Sequence, residues 1–347
     1  MTMSRVGLQE VVQAKKHRLL LLSLLGVAVI FLILITSLSL GPVNVEWQDI
    51  LSVLLNVGST TFDGEKDIIL NIRLPRAIEA ISIGASLSIA GAVMQTLVRN
   101  PMADPFILGV SSGAALGAIS VFTTDIPFGL LLLPICAFIG GIIAFSITLI
   151  LSRLAGATPI AVILSGIAVS TAFSSIVTLL LFLNPERSHM GILWLFGSLS
   201  LSSWQEVRMI LPCSIFGIAL ALLRARTLNV MLMGEEQAQQ LGVNVDRLKC
   251  EMMILSAFLT GVSVSFTGII GFIGLVCPHI SRMIVGGDHR LLLPASIISG
   301  SIILSLADLA ARVVAMPLEL PLGALTAVIG VPFFVYLLIK SRGKYEI

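Results

Sequence analysis

Apolar runs dominate this chain, and their lengths outline its architecture. They fall near 19–40, 74–98, 106–122, 128–151, 159–183, 207–223, 252–286, 291–312 and 320–339. Eight of them approach the roughly 20 residues that a helix needs to cross a bilayer. The seventh holds 35 residues, too many for one span and few for two. Gly268, Gly271 and Gly274 punctuate its middle and Pro278 follows, so a break there predicts ten spans. Positive charge decides between nine and ten. With ten spans and both termini inside, fifteen of the 21 Lys and Arg are cytoplasmic and six external, whereas nine spans leave 11 against 10. Acidic residues Glu46, Asp49, Asp63, Glu65 and Asp67 crowd the first external loop. The expected fold is all-α, one polytopic transmembrane domain over 1–347. It comprises a cytoplasmic tail (1–18), spans one to six (19–223), a cytoplasmic loop (224–251), spans seven to ten (252–339) and a second cytoplasmic tail (340–347).

Composition agrees. Hydrophobic residues make up 56% of the chain and charged residues 12%, about half the charge of a soluble domain. A net charge of +2 gives no footprint for nucleic acid. The four cysteines have no metal-ligand spacing and read as inert core thiols. Arg5, Lys15, Lys16 and Arg18 precede a run longer than a signal-peptide core, with no A-x-A-like site after it, so this run reads as the first span. An internal echo adds to the span count. GASLSIAG (84–91) and GVSVSFTG (261–268) share G-x-S-x-S-x-x-G, in spans two and seven. Five spans per half is an odd number, so the halves are expected to be inverted repeats.

The longest polar stretch away from the termini and the first external loop is 224–251, RARTLNVMLMGEEQAQQLGVNVDRLKCE. Met231 to Leu241 suits a short helix, Gly242 a stop, and Val243 to Leu248 the start of another. Met231, Met233, Ala238 and Leu241 would form one apolar edge. The stretch is either a solvated connector or a helix pair that docks a cytoplasmic partner. Arg73 and Arg76 share a helix face at the outer end of span two, and Arg312 lies at the outer end of span nine. They read either as interfacial anchors, with Arg76 paired to Glu79 and Arg312 to Asp308, or as a cationic collar for acidic side chains of an external partner. GVSSG (109–113) matches G-x-S-x-G with Ser111 as nucleophile. It opens a membrane helix and continues as G-x-x-x-G-x-x-x-G through Gly117, which is the signature of close helix packing. His279 stands inside a span with no acid beside it, a weak basis for an intramembrane protease. Asp and Glu are nearly absent from the middles of the spans, which argues against an ion-coupled carrier. The chain also lacks G-x-x-x-x-G-K-[ST], so any ATPase must be a separate protein.

Four segments then carry a resemblance. RLPRAIEAISIGASLSIAGAVMQTLVRNPMADPFILGVSSGAALGA (73–118), MGEEQAQQLGVNV (233–245), GIIGFIGLVCPHISRMIVGGDHRLLLPAS (268–296) and ELPLGALTAVIGVPFFVYLL (319–338) resemble the FecCD permeases of type II ABC importers. Those proteins take up iron-siderophores, haem and cobalamin. The resemblance implies ten helices in two inverted five-helix halves and a second permease, identical or paralogous. It also implies two cytoplasmic ATPases that carry ATP and Mg, with no cofactor on this subunit, and an external substrate-binding protein. It places ATPase coupling at Met233, Gly234, Glu235, Glu236, Gln237, Ala238, Leu241, Gly242 and Val243. Arg73, Arg76 and Arg312 fall at binding-protein docking positions. Ala157, Thr158 and Pro159 fall at the inner gate, and spans five and ten line the pathway. No metal site is implied on this subunit. A ferric siderophore is the favoured cargo, with cobalamin and haem as alternatives.

Overall fold

The computed structural model describes residues 5–43, 45–55, 63–124 and 131–340. The remaining residues, including the C-terminal tail 341–347, lie outside the described structure. In chain order the helices are α1 (Arg5–Ser39), α2 (Trp47–Leu55), α3 (Asp63–Asp67), α4 (Leu74–Leu97), α5 (Val110–Phe122), α6 (Leu132–Leu154), α7 (Pro159–Leu183) and α8 (Ser188–Leu195). They continue as α9 (Trp204–Leu223), α10 (Ala225–Met231), α11 (Glu235–Gln240), α12 (Val245–Thr267), α13 (Ile273–Val285), α14 (His289–Val313) and α15 (Leu322–Lys340). Six helices are long and apolar enough to cross a membrane, and four shorter apolar ones, within α1, α5, α13 and α15, complete ten among the described residues.

The boundaries follow local chemistry. Thr158 caps α7 by accepting from the Ala161 N–H at 3.1 Å, and Pro159 takes the first helical position, where its missing N–H costs nothing. Asn244 and Asp288 cap α12 and α14 in the same way. The long seventh run does break in two. Gly268 ends α12 at φ +71°, and Phe272 starts α13 from a left-handed conformation at φ +68°. The sequence placed the start of span seven at 252, but α12 begins at Val245. Its first two turns carry Asp246, Arg247, Lys249 and Glu251, which a helix tolerates where it projects beyond the apolar layer.

Helix α4 is the hub. Within its span 89% of the strongest apolar window is buried, against 33% for α7. Small residues make this possible, because α4 must let four neighbours approach: α9, α12, α13 and α14. A Cβ on Gly84 would collide with the Gly300 carbonyl, and one on Gly91 with that of Gly274. The G-x-x-x-G run does the same work in α5, where Gly113 and Gly117 lie against the backbone of Gly140 and Cys136 in α6.

The two halves repeat this packing. Span two (α4) lies on spans eight and nine (α13, α14), and span seven (α12) lies on spans three and four (α5, α6). Spans three and eight are both 13-residue helices entered through a left-handed residue, Gly109 and Phe272. The echo diverges at its last glycine: α4 runs on past Gly91 to Leu97, whereas α12 stops before Gly268.

Candidate functional site

The two ends of α4 hold the two candidate regions. The start of the helix carries Arg73 and Arg76; its far end reaches the loop 224–251. The loop end is called the inner end below and the opposite one the outer end, following the orientation expected from the charge distribution.

At the outer end the three arginines are buried, each about 5% exposed. Arg73 donates to the carbonyls of Leu38 (2.5 Å), Ser39 (2.9 Å) and Val43. It therefore closes the C-terminus of α1, where carbonyls lack helical partners and the dipole favours a cation. Arg312 meets the same end, donating to the Ser37 hydroxyl at 2.5 Å, and pairs with Asp308 at 3.3 Å. Arg76 forks onto both Glu319 oxygens at 3.0 Å and donates from Nε to Asp308 at 2.9 Å. Burial would raise the Glu319 carboxyl, but hydrogen bonds from Arg76 and Ser200 (2.6 Å) outweigh it and hold the group below its ordinary range. The Arg312–Asp308 pair matches one sequence expectation. Arg76 departs from the other, turning to Asp308 and Glu319 instead of Glu79. In the isolated subunit the arginines do not stand as a free cationic collar; they tie α1, α4, α14 and the 314–321 loop together.

At the inner end, the short helix expected from Met231 to Leu241 is confined to α11, and a further short helix, α10, precedes it and ends at Met231. Gly234, at φ +119°, separates α10 from α11, and a Cβ there would run into the Gln237 side chain. Gly242 does act as the stop, at φ +83°. The expected apolar edge is split between two faces. Met231 and Ala238 are buried with Val245, Leu248 and Met252, while Met233 (64% exposed) and Leu241 (62%) project outward. Glu235 braces α11 by pairing with Lys249 of α12 at 2.6 Å and with Arg99 beyond α4 at 3.4 Å. Glu236, Gln237, Gly242 and Val243 complete this surface, with Glu236 and Gln237 exposed.

Beneath it runs a buried polar link that the sequence did not reveal. Asn229 of α10 donates to Asp288 at 2.6 Å, which turns its oxygen toward His289. That oxygen accepts from the His289 backbone N–H (2.7 Å) and from ring Nδ1 (2.9 Å). The proton therefore sits on Nδ1, leaving Nε2 to face the Thr96 hydroxyl of α4 at 2.7 Å. His289 is fully buried. One side chain thus joins the loop to α14 and α4.

The gate candidates lie beside this region. Ala157 is in the left-handed conformation (φ +56°) in the α6–α7 turn, held by its N–H to the Ser152 carbonyl at 2.8 Å. Ala157 and Pro159 border a small cavity with Leu97, Lys249 and Met253, so the same lysine that grips Glu235 also faces the gate turn.

The FecCD transport family matches residues 28–340. The chain is 44% identical over 272 residues to the cobalamin import permease BtuC of Halobacterium salinarum, covering 78% of this chain and 73% of that protein. It is 40% identical over 320 residues to the hemin transport permease HmuU of Yersinia pestis, covering 90% and 94%. This chain is a member of the FecCD transport family. A solved metal-chelate type ABC transporter in an inward-facing conformation superimposes with a TM-score of 0.82 at 29% identity, covering 92% of this chain and 98% of that one.

The protein is thus a multi-pass ABC importer permease, and ATP hydrolysis belongs to a separate subunit. For a FecCD permease, the outward surface of α7 is informative. Thr171, Ser174, Ser175 and Thr178 are all exposed at helical spacing in the middle of an otherwise apolar span. Thr171, Ser175 and Thr178 satisfy their hydroxyls on carbonyls four residues back, at 2.8–2.9 Å. The signal in the sequence is the stretch STAFSSIVT, with four hydroxyls at i, i+3, i+4 and i+7.

Proposed function

We propose that this chain forms one half of a membrane pathway for a metal chelate. A second permease, identical or paralogous, would supply the other half. An external binding protein would deliver the cargo, and two cytoplasmic ATPases holding ATP and Mg would drive the cycle. The observation that carries this reading is the inner end: Met233 and Leu241 stand exposed on a loop braced by Glu235, Lys249 and Arg99. Exposed apolar side chains on a rigid polar loop fit a docking surface. The pair α10–α11 is short and externally braced, so a push on it moves as a unit. The Asn229–His289–Thr96 link passes that displacement to α14 and α4 together, biasing a two-state pathway by a rigid-body step.

The hydroxyl stripe of α7 faces the pathway in this reading, with α15 opposite it in the partner. Three of its four hydroxyls are already bonded within the helix, so the wall is weakly polar and holds no fixed ligand for the cargo. Selectivity then sits with the binding protein. Ala157, Thr158 and Pro159 form the inner gate, close enough to Lys249 to feel the loop. On the outer side, the docking role of Arg73, Arg76 and Arg312 narrows to Arg76, whose fork a partner carboxylate would take over from the partly exposed Glu319. Both termini lie in the cytoplasm. A ferric siderophore remains the favoured cargo; similarity to permeases named for cobalamin and hemin keeps those two chelates in the test.

Gly234→Arg with Glu235→Lys tests the assignment. The variant should insert normally, lose co-purification with its ATPase and lose uptake. Retained co-purification would refute docking at this loop. Uptake of labelled ferric siderophore, haem and cobalamin in a deletion strain, with rescue by the intact gene, identifies the cargo.

A further inference from the structure

Between the C-terminal half of α9 and the N-terminal half of α12 lies a groove of about 590 Å³. Leu220 and Leu223 form one wall, Ile254 and Leu255 the other, and Phe216 and Phe258 meet edge to face at 6.3 Å in its floor. Arg224 and Glu251 stand at the mouth. Glu251 is shared: Arg224 binds one oxygen at 2.8 Å and Arg247 the other at 2.8 Å. Two guanidinium groups thus divide one carboxylate and leave a surplus positive charge. Their side chains are 47% and 77% exposed, so donors remain unspent on both.

We propose that this groove is a binding site for an anionic phospholipid of the leaflet on the loop side. An acyl chain fits walls that are apolar throughout, and the phosphate fits the arginine pair at the rim. Basic pockets between spans at that depth bind anionic headgroups, with each arginine contributing on the order of fivefold in affinity. The charge surplus favours an anionic over a zwitterionic lipid. The walls belong to spans six and seven, whereas the pathway is assigned to spans five and ten, so the groove is not part of the transport route.

The test uses the full-length protein in nanodiscs of equal phosphatidylglycerol and phosphatidylcholine, with retained lipid read by native mass spectrometry. Phosphatidylglycerol should be retained about fivefold or more over phosphatidylcholine. Arg224→Gln with Arg247→Gln should abolish the preference, and Arg224→Lys with Arg247→Lys should keep most of it. Ile254→Trp fills the groove without touching charge and should remove the retained lipid. Equal retention of both lipids overturns the proposal. So does a preference that survives Ile254→Trp, which would place the effect on the general surface charge. A change of oligomeric mass in Ile254→Trp would instead assign the face to a second copy of the chain and overturn the lipid site.

Discussion

The outer and inner ends of α4 use similar residues for opposite purposes. At the outer end, Arg73, Arg76 and Arg312 are buried and spend their donors on α1 carbonyls, Asp308 and Glu319. At the inner end, Arg99, Arg224 and Arg247 are roughly half exposed or more, and each holds one carboxylate, Glu235 for the first and Glu251 for the other two. Buried ion pairs are costly to break because the surviving partner is stranded without water; exposed ones are cheap to remake. The outer end therefore behaves as a fixed joint around Asp308, with only the partly exposed Glu319 open to exchange. The inner end can change partners, which suits the docking role proposed for it.

Breaking the outer joint should give the largest effect. Asp308→Ala removes the carboxylate shared by Arg76 and Arg312, at 2.9 and 3.3 Å, which strips buried Arg312 of its paired carboxylate and leaves Arg76 with Glu319 alone. We expect a loss of about 3–5 kcal/mol, seen as early unfolding and aggregation of the purified protein in detergent. A loss below about 1 kcal/mol would mean that water reaches both guanidinium groups, and the contrast between the ends would collapse.

The hub itself comes next. Gly91→Val drives a side chain into the Gly274 carbonyl, which is backbone and cannot swing away. Overpacking at such a point costs about 1–3 kcal/mol. Gly287→Ala, which has open space around it, should be silent in the same thermal assay. Equal effects at the two glycines would show that α4 and α13 can separate to accommodate the change.

Much of this was legible in the sequence because it rests on local pattern. The ten spans follow from run length and the charge asymmetry, and the break at 268–272 from its glycines. The close contact of α5 and α6 follows from Gly113 and Gly117. What was not legible depends on distant partners. Arg76 finds Asp308 and Glu319 more than 230 positions away, so the nearer Glu79 was the natural guess. Arg73 caps a helix that ends 34 residues earlier, a role invisible without the fold. The loop's apolar edge divides because Gly234 ends one helical register before α11 begins another, which leaves Met231 and Ala238 buried and Met233 and Leu241 outside. His289, between a glycine pair and a leucine run, gave no hint that it joins three helices.

That link offers a sharper test of the inner end. Thr96→Val keeps the shape and removes the hydroxyl that stands between the Ala92 carbonyl (2.8 Å) and His289 Nε2 (2.7 Å), leaving buried Nε2 without its partner. The expected cost is about 1–3 kcal/mol, well short of unfolding the outer joint. The informative readout is coupling. If His289 carries motion from α10 to α4, Thr96→Val should retain ATPase binding and ATP turnover while uptake per ATP falls. Thr96→Ser should restore it. Parallel loss of ATPase binding and uptake would make the link a support for the loop and not a transmitter. Because Gly234→Arg with Glu235→Lys separately reports docking, the two failures are distinguishable.

The smallest expected effect closes the comparison. Arg247 holds Glu251 from one turn away in α12, at 2.8 Å, with most of its side chain in solvent. An exposed pair at this spacing contributes about 0.3–0.5 kcal/mol, and Arg224 remains on the other oxygen of Glu251. Arg247→Ala should therefore leave the thermal midpoint nearly unchanged, while Asp308→Ala does not. Raising the salt concentration should erase what little remains of the Arg247 effect, because exposed charges are screened, and should barely alter the cost at Asp308. A salt-insensitive loss of more than about 1 kcal/mol at Arg247 would mean that the inner end is as tightly closed as the outer one, and the loop would then have to move by breaking buried contacts instead of exchanging exposed ones.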